Sequence, residues 1–193
     1  MFRERLTVKG KITATVLGPD GLPKKRDRLT LRLVLKAIAS AKWRFHELEK
    51  MLRYEYGVNH NIVTNQGDAL IADLLSDIPV RAPVDNLNGV IAVGTGWTGT
   101  NPKLNTGVNT PVGSPKAMSA LYPKTKGAWG AADDNVIQYR AFFAAGDLNA
   151  SGIDEAALGN GTDNLAYGQV TPEVTVSSED TLQVDWEITF LGA

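Results

Sequence analysis

The sequence predicts a mainly β chain with two short α-helices and long loops rich in Gly, Thr and Asn. Three observations carry this. Apolar and polar residues alternate strictly near both ends of the sequence, only two stretches show a helical period, and 19 Gly and 9 Pro in 193 residues imply many turns.

In residues 6–17, Leu6, Val8, Ile12, Ala14 and Val16 alternate with Thr7, Lys9, Lys11, Thr13 and Thr15, the pattern of a half-buried strand. Gly10 suggests a bulge within it. Pro19 and the Asp20-Gly21 pair then supply turn chemistry, and Leu29, Leu31, Leu33 and Leu35 alternate again, so the first 36 residues read as a β-hairpin. From 37 to 56 the period lengthens: Ile38, Ala41, Phe45, Leu48 and Leu52 recur at steps of three and four, Glu49 and Arg53 form an i,i+4 pair, and Gly57 closes an amphipathic helix. Asn65 sits where an N-cap belongs, before a second helix over 66–76 with Leu70, Ile71, Leu74 and Leu75 on one face and Pro79 as its stop.

The run Val90-Ile91-Ala92-Val93 is short, apolar and bounded by glycines, which predicts a strand buried on both faces. Residues 94–116 and 123–135 carry no period and read as long loops on a rigid frame. Strands follow at 135–145 and at 181–190, where Leu182, Val184, Trp186, Ile188 and Phe190 alternate without error. The first and last strands are expected at sheet edges, where a neighbour's strand or arm would cover them.

The chain reads as one domain, 1–193, without repeats or a linker. Lys+Arg number 20 and Asp+Glu 21, a net charge of -1 that argues against a simple nucleic-acid binder. The balance hides a polarity. Residues 1–57 carry 14 basic and 6 acidic side chains, a net of +8, and the remainder 6 and 15, a net of -9. A basic hairpin-plus-helix arm, 1–57, would thus pack on or extend from an acidic sandwich core, 58–193. The opposite charges would meet either inside one molecule or between copies. With 0 Cys, thiolate metal sites, redox centres and a thiol nucleophile are excluded. No apolar h-region follows the first residues and no run of about 18 apolar residues occurs, so neither a signal peptide nor a membrane span is expected.

The motifs that suggest chemistry fail on context. Gly94-Thr95-Gly96-Trp97-Thr98-Gly99 follows a strand as a dinucleotide loop would, but it opens no helix, and no acid lies about 20 residues on to hold a ribose. Asp147, Asn149, Ser151 and Gly152 match the start of a calcium loop whose twelfth position should be Glu and is Leu158. Asp154 with Glu155, or Asp133 with Asp134, would be an acid-base pair only across a cleft, and neighbours on a strand point to opposite faces. His46 and His60 fit no zinc spacing and no catalytic triad. The expectation is no enzyme, with no catalytic, cofactor-binding or metal-binding residue. Trp97 and Trp129, in Gly-rich loops, are the candidate interface anchors, favoured over sugar stacking. The basic cluster Lys24, Lys25, Arg26 and Arg28 adjoins the hairpin turn. Without neighbouring aromatics it reads as a solvated or partner-facing turn, not a nucleic-acid site.

Five phrases occur in a fixed order: "NIVTNQGDALIADLL" at 61–75, "VIAVGTG" at 90–96, "IDEAALGNG" at 153–161, "LAYGQV" at 165–170 and "TLQVDWEITF" at 181–190. This order resembles small virion structural proteins of tailed bacteriophages, in which a strand-to-helix phrase precedes an "iAvGtG" strand, an "i.EaaL" turn and a final alternating strand. The resemblance covers residues 60 to 190; the basic helix at 37–56 departs from it. It implies a jelly-roll-like β-sandwich present in several copies that decorates a capsid or, in the alternative, belongs to a tail, collar or fibre and holds a carbohydrate or receptor. Its partners would be other virion proteins, major capsid or tail, and copies of itself, with no membrane, in a virion assembled in the host cytoplasm.

Overall fold

A computed structural model describes residues 7–22, 24 and 59–191. Nine strands fill most of this chain: β1 (Thr7–Leu17), β2 (Asn59–Val63), β3 (Val90–Gly94), β4 (Lys116–Ala117), β5 (Lys124–Thr125), β6 (Val136–Phe143), β7 (Ala150–Gly159), β8 (Asn164–Val176) and β9 (Thr181–Leu191). Among the described residues there is one α-helix, α1 (Asn65–Leu74), and one turn of 3-10 helix at Pro102–Leu104. The fold is mainly β and antiparallel, with strand order β4-β3-β7-β8-β2-β1-β9-β6-β5. The series folds over on itself. Just past β4, the Met118 amide still donates to Gly89 of the β3 side (3.2 Å), while the next amide, Ser119, donates to Arg140 of β6 (2.8 Å). Ile91 and Val93 of β3, Ala156 and Leu158 of β7, and Leu182, Val184, Trp186 and Ile188 of β9 thereby share one core.

The alternation in β9 sorts its residues as expected. Leu182, Val184, Trp186 and Ile188 are buried. On the opposite face Asp185 accepts from Arg140 Nε (2.5 Å) and Glu187 from Gln138 Nε2 (2.8 Å). Each of those apolar side chains contributes about 1.5–3 kcal/mol by leaving water.

The expectation that β1 and β9 lie at sheet edges is corrected. They pair with each other over eleven residues, Thr7 opposite Leu191 through Leu17 opposite Thr181, and β2 and β6 flank them. Two strands with matching patterns satisfy one another: Ile12 opposite Trp186 and Ala14 opposite Val184 place both apolar faces on the same side. The ends of the series are instead β4 and β5, two residues each, which leave few unpaired backbone groups.

The turn after β1 forms where Asp20-Gly21 predicts it. Gly21 has φ +71°, Gly18 donates to Leu22 (2.9 Å), and Lys24 donates back to Val16 (2.9 Å). The expected strand over 29–36 and helix over 37–56 lie outside the described residues. Helix α1 begins one residue early, with Thr64, not Asn65, as its N-cap; the Thr64 hydroxyl accepts from the Gly67 amide (3.0 Å). Gly67 is required there because a Cβ would stand 2.1 Å from the Leu165 carbonyl of β8. The helix ends at Leu74, and of its expected apolar face only Leu70 is fully buried, with Leu75 81% exposed.

The stretches expected as loops hold a turn of 3-10 helix at Pro102–Leu104 and reach into the two-residue strands β4 and β5, too short to show a period, and two long strands had no sequence signal. The phrase expected as an "i.EaaL" turn lies inside β7, and β8 follows it as the longest strand. Residues 155–159 and 164–168 are buried without a break, so no polar residue marks a solvent face and the period-2 pattern vanishes. β3 shows the converse: Ile91 and Val93 are buried while Val90 and Ala92 are half-buried, so it is less enclosed than its apolar run implies.

Candidate interaction site

The site grows from one buried carboxylate. Glu155 of β7 is completely inaccessible to solvent, next to an irregular step in register between Ile153 and Glu155. Its Oε1 accepts from the Gly96 amide (3.0 Å) and the Thr110 amide (2.9 Å). Its Oε2 accepts from the Asn109 amide (3.0 Å), from Asn109 Nδ2 (3.3 Å) and from the Tyr167 hydroxyl. Beside it Asp154 accepts from the Trp97 amide (3.1 Å). The two neighbours expected on opposite faces thus serve the same loop, the one that leaves β3. Burial first, and then the Glu155 carboxylate, push the Tyr167 hydroxyl well above its ordinary pKa, so it remains a proton donor at every physiological pH.

This hub explains the glycine-rich phrase at 94–99. A Cβ on Gly94 would lie 2.5 Å from Glu155 Oε1, and one on Gly96 would lie 2.6 Å from Thr110 Oγ1. The amides that a dinucleotide loop would aim at a phosphate are here donated to Glu155 and Asp154. Trp97 then lies flat on Tyr167, ring centroids 5.0 Å apart with 26° between planes, and is half-buried. Further along, Asn164 Nδ2 donates to the Asn105 carbonyl (3.1 Å) and Lys103 Nζ reaches Asp68 (2.6 Å) at the start of α1. The whole loop is therefore pinned to the sheet and helix.

Trp129 is placed differently. It lies in the β5–β6 loop, inside a tight turn in which Ala131 donates to Ala128 (2.9 Å) and Gly130 has φ +82°. Asp134 accepts from the Gly130 amide (2.8 Å), and the Gly127 amide donates to the Asp133 backbone carbonyl (3.1 Å), so the Asp134 side chain and the Asp133 backbone shape the tip. The indole is 100% exposed. Trp97 and Trp129 thus sit on separate loops, one packed down and one held out.

Of the basic cluster, Lys24 is described. Its Nζ meets Asp180 (2.5 Å), a carboxylate only 1% accessible that also accepts from the Ser177 amide (2.9 Å) and hydroxyl (2.7 Å). The Lys24 ammonium, followed by the Ser177 donors, holds the Asp180 carboxyl down to about 2. Lys24 is therefore an internal tie between the basic and acidic parts of the chain. Lys25, Arg26, Arg28 and His46 lie outside the described residues. In the calcium-like loop, Asp147 accepts from Lys116 Nζ (2.6 Å) and from the Ala144 amide (2.6 Å), and the Lys116 ammonium already supplies the cation there. Among the described residues no group of three or more acidic or histidine side chains is arranged to hold a metal ion, and no helix is long and apolar enough to cross a membrane.

Reading the sequence alone missed Asn109 and Tyr167, and missed that Glu155 is a hub. A signal was present: a glutamate beside Ala156-Ala157-Leu158, in a stretch otherwise fit for a core, has to find donors or stay out of it. Searches of the chain against protein-family models, curated proteins and solved structures return no match.

Proposed function

We propose that this chain is a non-enzymatic structural component of a tailed-bacteriophage virion, a jelly-roll-like β-sandwich seated on the capsid as a decoration or minor capsid protein. It works through surface contacts with other virion proteins and with further copies of itself, in particles assembled in the host cytoplasm. The observation that carries the reading is Trp129: a wholly exposed indole, held out on a hydrogen-bonded tip rather than folded down as Trp97 is. Leaving the largest apolar side chain in water has a free-energy cost, and a partner that accepts it recovers that cost on binding. The order of phrases along the sequence supplies the virion context, and the carboxylates of the site spend their lone pairs on fastening loops, which suits a scaffold.

The test is reconstitution on purified capsid shells. Trp129→Ala removes a central aromatic anchor, whose loss typically weakens an interface by about 2 kcal/mol or more, roughly 30-fold in affinity. Shell occupancy of the variant falls accordingly if the proposal holds. The same bare ring, open on both faces, also favours a second reading, a tail, collar or fibre component that stacks Trp129 on a sugar. Binding on a glycan array that disappears with Trp129→Ala, with no binding to shells, replaces the first reading by the second.

A further inference from the structure

A second surface lies where α1 ends and the chain runs on to β3. Five large apolar side chains face solvent there: Leu74 at 36%, Leu75 at 81%, Ile78 at 78%, Val80 at 83% and Leu87 at 83% exposed. The segment is not loose chain. Asp73 accepts from the amides of Val80 (3.1 Å) and Arg81 (2.8 Å), folding the residues after the helix back onto its last turn. Asp85 accepts from the amides of Leu87 (2.9 Å) and Asn88 (2.8 Å), Asn160 Nδ2 holds the Ala82 carbonyl (2.6 Å), and Val84 is buried in the core. The backbone is fixed and the apolar side chains are left outward, a preformed surface with little ordering to lose on binding.

Its rim is negative. Along the chain Asp73, Asp77 and Asp85 are interleaved with the apolar residues, and the one basic side chain within 73–88, Arg81, is engaged with Asp163 (3.4 Å). The C-terminal end of α1 adds its partial negative charge, and its last turn contains no basic residue to offset it. An apolar stripe with an anionic border complements one kind of occupant. We propose that this surface docks a cationic amphipathic helix of a partner protein, its apolar face on Leu75, Ile78 and Val80 and its lysines or arginines against Asp77 and the helix end. The same border repels an anionic bilayer, which selects a protein helix over a membrane surface.

The full chain is titrated with a Leu/Lys amphipathic peptide of about 18 residues, using tryptophan-independent calorimetry, and with a matched Leu/Glu peptide. The Leu/Lys peptide is expected to bind at least about tenfold more tightly than the Leu/Glu peptide. The double substitution Leu75→Ser with Ile78→Ser, or Asp77→Lys alone, should weaken it by a similar factor. Because these side chains are exposed, the variants are expected to fold, and Trp129→Ala should leave the affinity unchanged, separating this surface from the proposed capsid contact. Equal affinity for both peptides, or an affinity indifferent to the Leu75/Ile78 pair, overturns the proposal. So does self-association abolished by that pair, which assigns the surface to a second copy, and so does binding to phosphatidylglycerol vesicles with the same sensitivity.

Discussion

Replacing Glu155 tests the central claim about the site, that one carboxylate holds the loop after β3 in place. Five hydrogen bonds end on it, three of them from the backbone amides of Gly96, Asn109 and Thr110. Glu155→Ala removes every acceptor at once. Each buried donor left unsatisfied costs about 1–3 kcal/mol, so three amides alone set a range of roughly 3–9 kcal/mol. Water entering the space returns part of this, so a loss of about 4 kcal/mol, in the lower half of that range, is expected. Glu155→Gln is milder. Its amide oxygen can still accept from Gly96 and Thr110, but its NH2 meets the Asn109 amide donor, so about 1–3 kcal/mol is lost. The assay is urea unfolding at neutral pH, where a loss near 4 kcal/mol moves the midpoint down by about 2 M. Tryptic cleavage after Lys103, inside the fastened loop, should accelerate in parallel. An alanine variant within about 0.5 kcal/mol of the parent, with Lys103 still protected, would refute the reasoning.

Two further outcomes follow from the same geometry. Asp180 titrates at about 2 in the folded chain against an ordinary 3.8, because Lys24 and Ser177 favour its charged form; its contribution to stability is therefore complete above about pH 4 and lost as pH falls through 2. Asp180→Asn should lower stability at neutral pH and flatten the acid limb between pH 4 and 2, seen as urea midpoints that converge with the parent's at low pH. Gly94→Ala places a Cβ 2.5 Å from both Glu155 Oε1 and the Thr110 carbonyl and should destabilise by about 1–3 kcal/mol, whereas Gly107→Ala, with nothing within 4 Å, should be near neutral in the same thermal melt.

What could be read in advance follows from which surfaces are shared with solvent. β1 and β9 each have a core face and a wet face, so their alternation marks them in the sequence, and Asp20-Gly21 marks the turn at 18–22. β7 and the first half of β8 are covered on both sides, so the polar half of the pattern is missing. Helix α1 is shorter than its period suggests because Leu75, which continues the apolar face, is its C-cap, and Asp73 holds the amides of Val80 and Arg81 beyond it. Trp97 and Trp129 could be singled out as aromatics in glycine-rich loops, but not that one is stacked on Tyr167 and the other bare. The Glu155 hub is illegible for a different reason: its backbone donors lie 45 to 59 positions upstream, and only the completed sheet brings them within reach.

The pairing of β1 with β9 has a consequence for synthesis. The middle of the sheet joins residue 7 to residue 191, so the ribosome must release nearly all of the described chain before those two strands can zip together. Until then Ile12 and its neighbours can pair only on the β2 side, and the ladder that will face β9 stays open to a chaperone or a second nascent chain. The closing of the sheet's middle is therefore a late event in the life of the chain.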